Sequence, residues 1–258
     1  MKSPPRRALP ICIGQNSAVA DPDGTRQNRE TSRPEALLIL AGSIATPFSF
    51  AFPALDCRIM SLPSPLARFF DSRNWSLHPH QTEMLARADA PSLLLIAPTG
   101  GGKTLAGFLP TLIELADGTH EGLHTLYVSP LKALANDIKR NLRTPIEEAG
   151  FPIRVEDRTG DTPQTQRKRQ RADPPHILLT TPESLALMIS YPDAGRTFKG
   201  LKRIIVDEIH ALADSKRGDQ LMLCLSRLQT LAPGLRRIGL SATVDDPAVI
   251  AHYLARHP

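Results

Sequence analysis

The residues best equipped for chemistry fall in two short stretches. The first is Ala97-Pro-Thr-Gly-Gly-Gly-Lys-Thr104. Here Gly100, Gly101 and Gly102 let the backbone curl so that successive N–H groups, with that of Thr99, can point at phosphate oxygens. Lys103 would then reach the β and γ phosphates, and Thr104 would ligand Mg²⁺ through its hydroxyl. The stretch fits G-x-x-x-x-G-K-[ST] except that Ala97 replaces the first glycine. The second stretch is Asp207-Glu208-Ile209-His210. Phosphoryl transfer to water needs a divalent cation to offset phosphate charge and a group to orient the attacking water. Asp207 suits the metal, usually through its water shell, and Glu208 suits the water. Each stretch alone has a plainer explanation, a glycine-rich turn or a helix cap with a first-turn acid. Together they point to hydrolysis of ATP with Mg²⁺.

Such residues work only if the chain places them at the same edge of a sheet. Ser92 to Ala97 is a buried-type apolar run that leads into the glycine loop and then a helical pattern, and Leu201 to Val206 is a second such run ending at Asp207. Carboxylates at the C-terminal end of a strand face the crevice where open α/β sheets bind ligands. From Ser61 onward, short β-type runs alternate with stretches of helical period, which predicts an α/β fold with a mainly parallel sheet and helices on both faces. The predicted strands are Ser92 to Ala97, Leu123 to Ser129, Ile153 to Val155, Ile177 to Thr180, Arg203 to Val206 and Arg237 to Leu240. Helices are expected to begin after Gly102, Pro130, Pro163, Pro182, Ser215 and Asp246.

Residues 1–60 read differently. They are rich in Pro, Arg and small residues and show no sustained period, so they are expected to be disordered or an extension without a fold, with Met60 as the natural start. The domain is expected over 61–258. The uncharged run from Ala36 to Leu55 is long enough to cross a bilayer, but Pro47, Pro53 and its hydroxyl residues argue against a span, and no membrane association is expected. The net charge of +5 suits a polyanionic partner. Three scattered cysteines lack metal-type spacing and exclude a disulfide framework, so a cytoplasmic setting is expected.

APTGGGKT, DEIH and Ser241-Ala-Thr243 occur in the order and spacing of superfamily 2 helicases, and the chain resembles their first RecA-like domain, a P-loop NTPase fold. Tyr127-Val-Ser-Pro-Leu-Lys-Ala-Leu134, Arg158-Thr-Gly-Asp-Thr162, Thr180-Thr-Pro-Glu-Ser-Leu185 and Ser215-Lys-Arg-Gly218 resemble the large helicase-related (Lhr) group, above all its ligase-associated DEXH-box members. The resemblance implies that Gln81 reads adenine, that Ser129, Pro130, Leu131 and Lys132 touch the tracking nucleic-acid strand, and that Thr180, Thr181, Pro182 and Glu183 form a second such contact. Thr159, Gly160 and Asp161 are expected to form a further turn near that strand. Ser241 and Thr243 would couple nucleotide state to these contacts, and His210 would sense the γ-phosphate end of the site. Phe69, Phe70 and Trp75 either stack on the base or pack the first helix, with packing favoured. The basic run Arg167 to Arg171, and Lys216 with Arg217, are either a solvated face or a DNA contact.

The resemblance further implies a 3′-to-5′ helicase or translocase acting on single-stranded or 3′-tailed DNA, with RNA possible, in repair alongside a DNA ligase and a nuclease. Nothing resembling the second RecA-like domain follows Ser241-Ala-Thr243 before Pro258, so an N-terminal fragment with weak turnover of its own is expected. Two alternatives remain at this point: a nucleotide- or nucleic-acid-binding module without turnover, and a superfamily 2 translocase that does not unwind.

Overall fold

The computed structural model describes residues 37–40 and 62–255, apart from the side chains of 37, 38, 40 and 133–136. Seven strands make one parallel sheet: β1 (Leu37–Leu40), β2 (Ser92–Ile96), β3 (Thr125–Val128), β4 (Val155–Arg158), β5 (Ile177–Thr180), β6 (Arg203–Val206) and β7 (Arg236–Ser241). Their order across the sheet is β1-β2-β7-β6-β3-β5-β4. The helices among the described residues are α1 (Ser64–Ser72), α2 (Pro79–Ala86), α3 (Lys103–Glu114), α4 (Lys132–Glu148), α5 (Gln164–Ala172), α6 (Pro182–Ile189), α7 (Ala194–Phe198), α8 (His210–Ala213), α9 (Lys216–Leu231) and α10 (Pro247–Leu254).

The near-continuous apolar strands follow from burial on both faces, which a parallel sheet requires. Successive side chains then alternate between two cores. Leu93, Leu95, Tyr127, Ile205 and Leu240 pack with Phe69 of α1, Met84 of α2, Phe108 of α3 and Leu142 of α4. Leu94, Ile96, Leu126, Val128, Ile204 and Val206 pack with Leu185 of α6, Phe198 of α7, Leu225 of α9 and Leu254 of α10. Helix starts obey their caps: Ser215 Oγ accepts the Gly218 N–H at 3.1 Å and Asp246 accepts that of Ala248 at 3.0 Å.

Two expectations need correction. The sheet does not begin at residue 61, because Leu37–Leu40 lies parallel to β2 as an edge strand. Four uncharged, mostly branched residues suffice to extend an apolar sheet, although they are too few to set up a visible period. The remainder of the 36–55 run, Met60 and the other residues before 62 lie outside the described residues, and no helix among the described residues is long and apolar enough to cross a membrane. The strand expected at Ile153 to Val155 sits at Val155–Arg158 instead. On this sheet edge, charged residues take the strand positions because their side chains find partners: Glu156 with Arg169 and Asp157 with Lys139.

At the N-terminal ends of the strands, Glu114 closes α3 as the hub of an ion network. It accepts from both terminal nitrogens of Arg203 at 2.9 Å, from His124 at 3.1 Å and from Arg236 at 3.2 Å. Arg203 is fully buried, and its third contact is Thr111 Oγ1 at 3.2 Å. The opposite ends of the strands carry the residues singled out for chemistry.

Candidate nucleotide and nucleic-acid site

The strand order sorts those residues. The glycine loop follows β2, Ser241 ends β7 and Asp207 follows β6, and these three strands are adjacent. Next come β3, β5 and β4, which carry Ser129, Thr180 and Thr159 at their C-terminal ends. With neighbouring strands about 4.8 Å apart, the phosphate-type residues occupy one half of the edge and the strand-contact candidates the other.

In the loop, Gly100 and Gly102 take φ of 82° and 73°, left-handed values that a side chain disfavours. A Cβ on Gly102 would also come within 2.9 Å of Gln81 Nε2. Lys103 is buried, and its Nζ donates to Ala97 O at 2.7 Å and Pro98 O at 3.2 Å, so the lysine is folded along the loop it would serve. Thr104 is half-buried in the first turn of α3.

Asp207 is 6% exposed and held from two sides: Tyr127 Oη donates to its Oδ2, and the Glu208 N–H donates to Oδ1 at 2.9 Å. Burial, reinforced by the Asp207 charge, pushes the Tyr127 hydroxyl far above its usual range and keeps it a donor. Glu208 has φ of +48°, a left-handed value for a residue with a side chain, at a strain of about 1–2 kcal/mol. Its carboxylate lies 3.4 Å from His210 Nε2. The other ring nitrogen, Nδ1, receives the Ala242 N–H at 3.4 Å and lies 3.2 Å from Ser241 Oγ. Because a backbone N–H can only donate, neutral His210 carries its proton on Nε2, facing Glu208. His210 thus joins Glu208 to the end of β7. Thr243 is exposed in the loop beyond.

A cavity of about 490 Å³ is lined by Thr99, Gly100, Gly102, Lys103 and Thr104, by Asp207 and Glu208, and by Phe69, Arg73 and Trp75. That size suits a nucleotide. The Thr104 hydroxyl and Asp207 carboxylate on its wall are the hard oxygen donors that Mg²⁺ prefers, so both groups fit the residues present. Phe69 and Phe70 are buried packing residues, whereas Trp75 is 54% exposed and meets both rings edge-on. Arg73, which the sequence did not single out, lies 4.3 Å over the Phe69 ring and pairs with Glu148. Only its position between two aromatic residues could have drawn attention to it. Gln81 is 2% exposed. Its Oε1 takes the His78 N–H at 2.9 Å and its Nε2 reaches Gly102 O at 3.4 Å, so the amide braces α2 against the loop.

On the other half of the edge, several candidate hydroxyls face the protein. Thr180 Oγ1 donates to Arg158 O at 2.7 Å, Thr181 caps α6 through the Ser184 N–H at 3.4 Å, and Ser129 Oγ sits 3.4 Å from the Leu131 N–H. Pro182 and Thr159 are buried as well. Leu131, Lys132, Gly160 and Glu183 are exposed and Pro130 half-buried, and Lys132 pairs with Asp161 at 3.0 Å. Arg217 spans both junctions: Nε meets Glu183 at 2.6 Å and Nη2 donates to Pro130 O at 2.9 Å. The basic run is largely committed. Arg167 holds Gly160 O at 2.6 Å, Arg169 pairs with Glu156, and Arg171 pairs with Asp193 while lying 4.3 Å over Tyr191.

Residues 78–250 match the DEAD/DEAH box helicase family. The chain belongs to that family. Within it, the chain is 47% identical over 213 residues to the Lhr helicase/probable uracil glycosylase of Mycolicibacterium smegmatis, covering 74% of this chain and 14% of that protein. It is 41% identical over 209 residues to the ATP-dependent helicase Lhr-Core protein 2 of Thermococcus barophilus, covering 75% and 24%. The chain therefore spans under a quarter of the length of either relative. Among solved structures, Mycobacterium smegmatis helicase Lhr bound to ssDNA and AMP-PNP superposes with a TM-score of 0.70 at 43% identity, covering 75% of this chain and 26% of that one. The helicase MrfA bound to DNA and AMPPNP gives 0.67 at 26% identity, covering 79% and 28%. This chain shares with these helicases the RecA-like sheet that the resemblance implied.

Proposed function

We propose that this DEAD/DEAH box helicase domain is the first RecA-like half of an ATP-driven, 3′-to-5′ DNA translocase and helicase of the Lhr group, serving repair with a ligase and a nuclease. The observation that carries the reading is the adjacency of β2, β7 and β6, which lines one cavity with Lys103, Thr104, Asp207 and Glu208. When ATP binds, Lys103 exchanges its loop carbonyls for phosphate oxygens. Thr104 and Asp207 would hold Mg²⁺, which would supply charge neutralisation at the phosphates. Glu208 orients the attacking water, and His210 passes the state of that carboxylate to Ser241 and Thr243. Lys132 and the backbone N–H groups at exposed Leu131, Gly160 and Glu183, beside half-buried Pro130, hold phosphates of the tracking strand without reading bases. Gln81 contributes by stiffening the loop and turns toward adenine on binding. A second RecA-like domain contributes arginines to the transition state, an effect of about a thousandfold or more in related NTPases.

The support from relatives is that an Lhr structure holds ssDNA and AMP-PNP together. The test is ssDNA-stimulated ATPase of the chain joined to its second RecA-like domain, with fluorescent-ADP binding measured in parallel. Lys103→Ala should lose nucleotide binding, and Glu208→Gln should keep binding and lose turnover. ATPase retained in both variants refutes the site. Translocation without displacement of a 3′-tailed duplex would favour a non-unwinding motor.

A further inference from the structure

Asp207 is gripped more completely than a cation ligand needs to be by its backbone alone. The carboxylate torsion of an aspartate is soft, with broad wells, so one anchor leaves it free to tilt. Here the Asp207 N–H is tied to Val128 O at 2.9 Å, one carboxylate oxygen takes the Glu208 N–H, and the other takes the Tyr127 hydroxyl. Tyr127 is itself closely packed. It is fully buried in β3, in register beside Ile205 of β6, with its ring stacked on Phe108 of α3 at 5.5 Å and 26°. Helix α3 carries Thr104 in its first turn. The two oxygen donors assigned to the cation are therefore linked through one path of packed contacts: Thr104, α3, Phe108, Tyr127, Asp207.

We propose that Tyr127 is a positioning residue of the hydrolysis site, its hydroxyl fixing the Asp207 carboxylate in the orientation from which, with Thr104, it holds Mg²⁺. The proposal rests on the nucleotide-site reading above. A tyrosine in a core needs some partner for its hydroxyl, and packing alone would explain the ring. It does not explain why the partner is Asp207, the carboxylate directly after β6. Tyr127→Phe separates the two roles, because it keeps the ring and its stack on Phe108 and deletes only the donor.

The test is a magnesium titration of methylanthraniloyl-ADP fluorescence on the whole chain, with thermal melting as the fold control. Partners that orient metal ligands are worth 10- to 100-fold in metal affinity, so Tyr127→Phe should raise the magnesium needed for half-saturation by about tenfold. Affinity for the nucleotide without magnesium should stay within about twofold of wild type. In an Asp207→Asn background the effect of Tyr127→Phe should vanish, since the oriented carboxylate is gone. A magnesium requirement unchanged by Tyr127→Phe overturns the proposal. If that variant melts early, Phe108→Leu, which keeps the hydroxyl and loosens its platform, is read in the same titration: a raised requirement supports the proposal and an unchanged one overturns it. A wild-type chain that binds no nucleotide at all defeats the nucleotide-site reading itself.

Discussion

Replacing Glu114 by Ala would strand a guanidinium. Arg203 is fully buried, its Nε has no acceptor in the structure, and Glu114 is the carboxylate it meets. Arg236, by contrast, keeps Asp89 at 2.7 Å. Breaking a buried pair by removing one partner costs about 3–5 kcal/mol, and because the Glu114 side chain is 32% exposed the lower end applies, about 3 kcal/mol. For a domain of this size each kcal/mol lowers Tm by roughly 2–4 °C, so Glu114→Ala should melt roughly 6–12 °C early by far-UV circular dichroism near neutral pH. The double variant Glu114→Leu with Arg203→Met, which buries no charge, should recover most of that loss. Acid should erase the difference. Burial opposes the charged form of Glu114, but hydrogen bonds from His124 and Arg203 overrule it and hold the carboxyl well below its usual range. A depressed carboxyl stabilises the fold above the unfolded value of about 4.3 and loses that contribution as pH falls toward the folded value. Wild type and Glu114→Ala should therefore begin to converge as pH falls below about 4 and meet only as it nears the much lower folded value. A Tm loss under about 2 °C, or a double variant no better than the single one, would refute the reasoning.

Two further outcomes follow from close contacts. A Cβ on Gly218 would meet the Leu212 carbonyl oxygen at 1.9 Å, and the Gly218 carbonyl already accepts the Tyr253 hydroxyl at 2.6 Å. Gly218→Ala should therefore cost about 3 kcal/mol, measured by urea unfolding. Arg217 is exposed, so Arg217→Ala should change stability by less than about 1 kcal/mol. It should nonetheless weaken binding of a fluorescent oligothymidylate by severalfold in anisotropy, because both strand-contact junctions lose their shared clamp. Equal affinity would remove Arg217 from that surface.

The ATP-type half of the edge was legible because its residues must be contiguous. A loop that wraps phosphate needs its glycines, lysine and threonine in a row after a strand, and Asp207-Glu208 must end another. The helix starts at Lys103, Gln164, Lys216 and Pro247 were legible for the same local reason, their caps and prolines. What was not legible depended on partners far along the chain. Nothing near Val155 reveals that Glu156 and Asp157 will find Arg169 and Lys139, and nothing near Leu37 reveals that β2 will offer it an edge. For Gln81, Thr180 and Thr181, only the folded chain shows their polar groups turned to protein partners. Tyr127 stood inside a quoted motif as an ordinary strand residue, since its hydroxyl matters only once β3 lies beside β6.

The position of β7 also bears on how the domain is made. Among the described residues it is the last strand along the sequence, yet it lies between β2 and β6, which are far apart along the chain. Until it is synthesised and inserted, the loop at Lys103 and the carboxylates at Asp207 have no common neighbour, and each half of the sheet presents an unpaired apolar edge. Nucleotide affinity should therefore arrive late and all at once during translation, after Ser241 has left the ribosome. Nascent chains released before that point would carry two open seams prone to pairing with other copies, which makes this insertion the step where chaperones have most to protect.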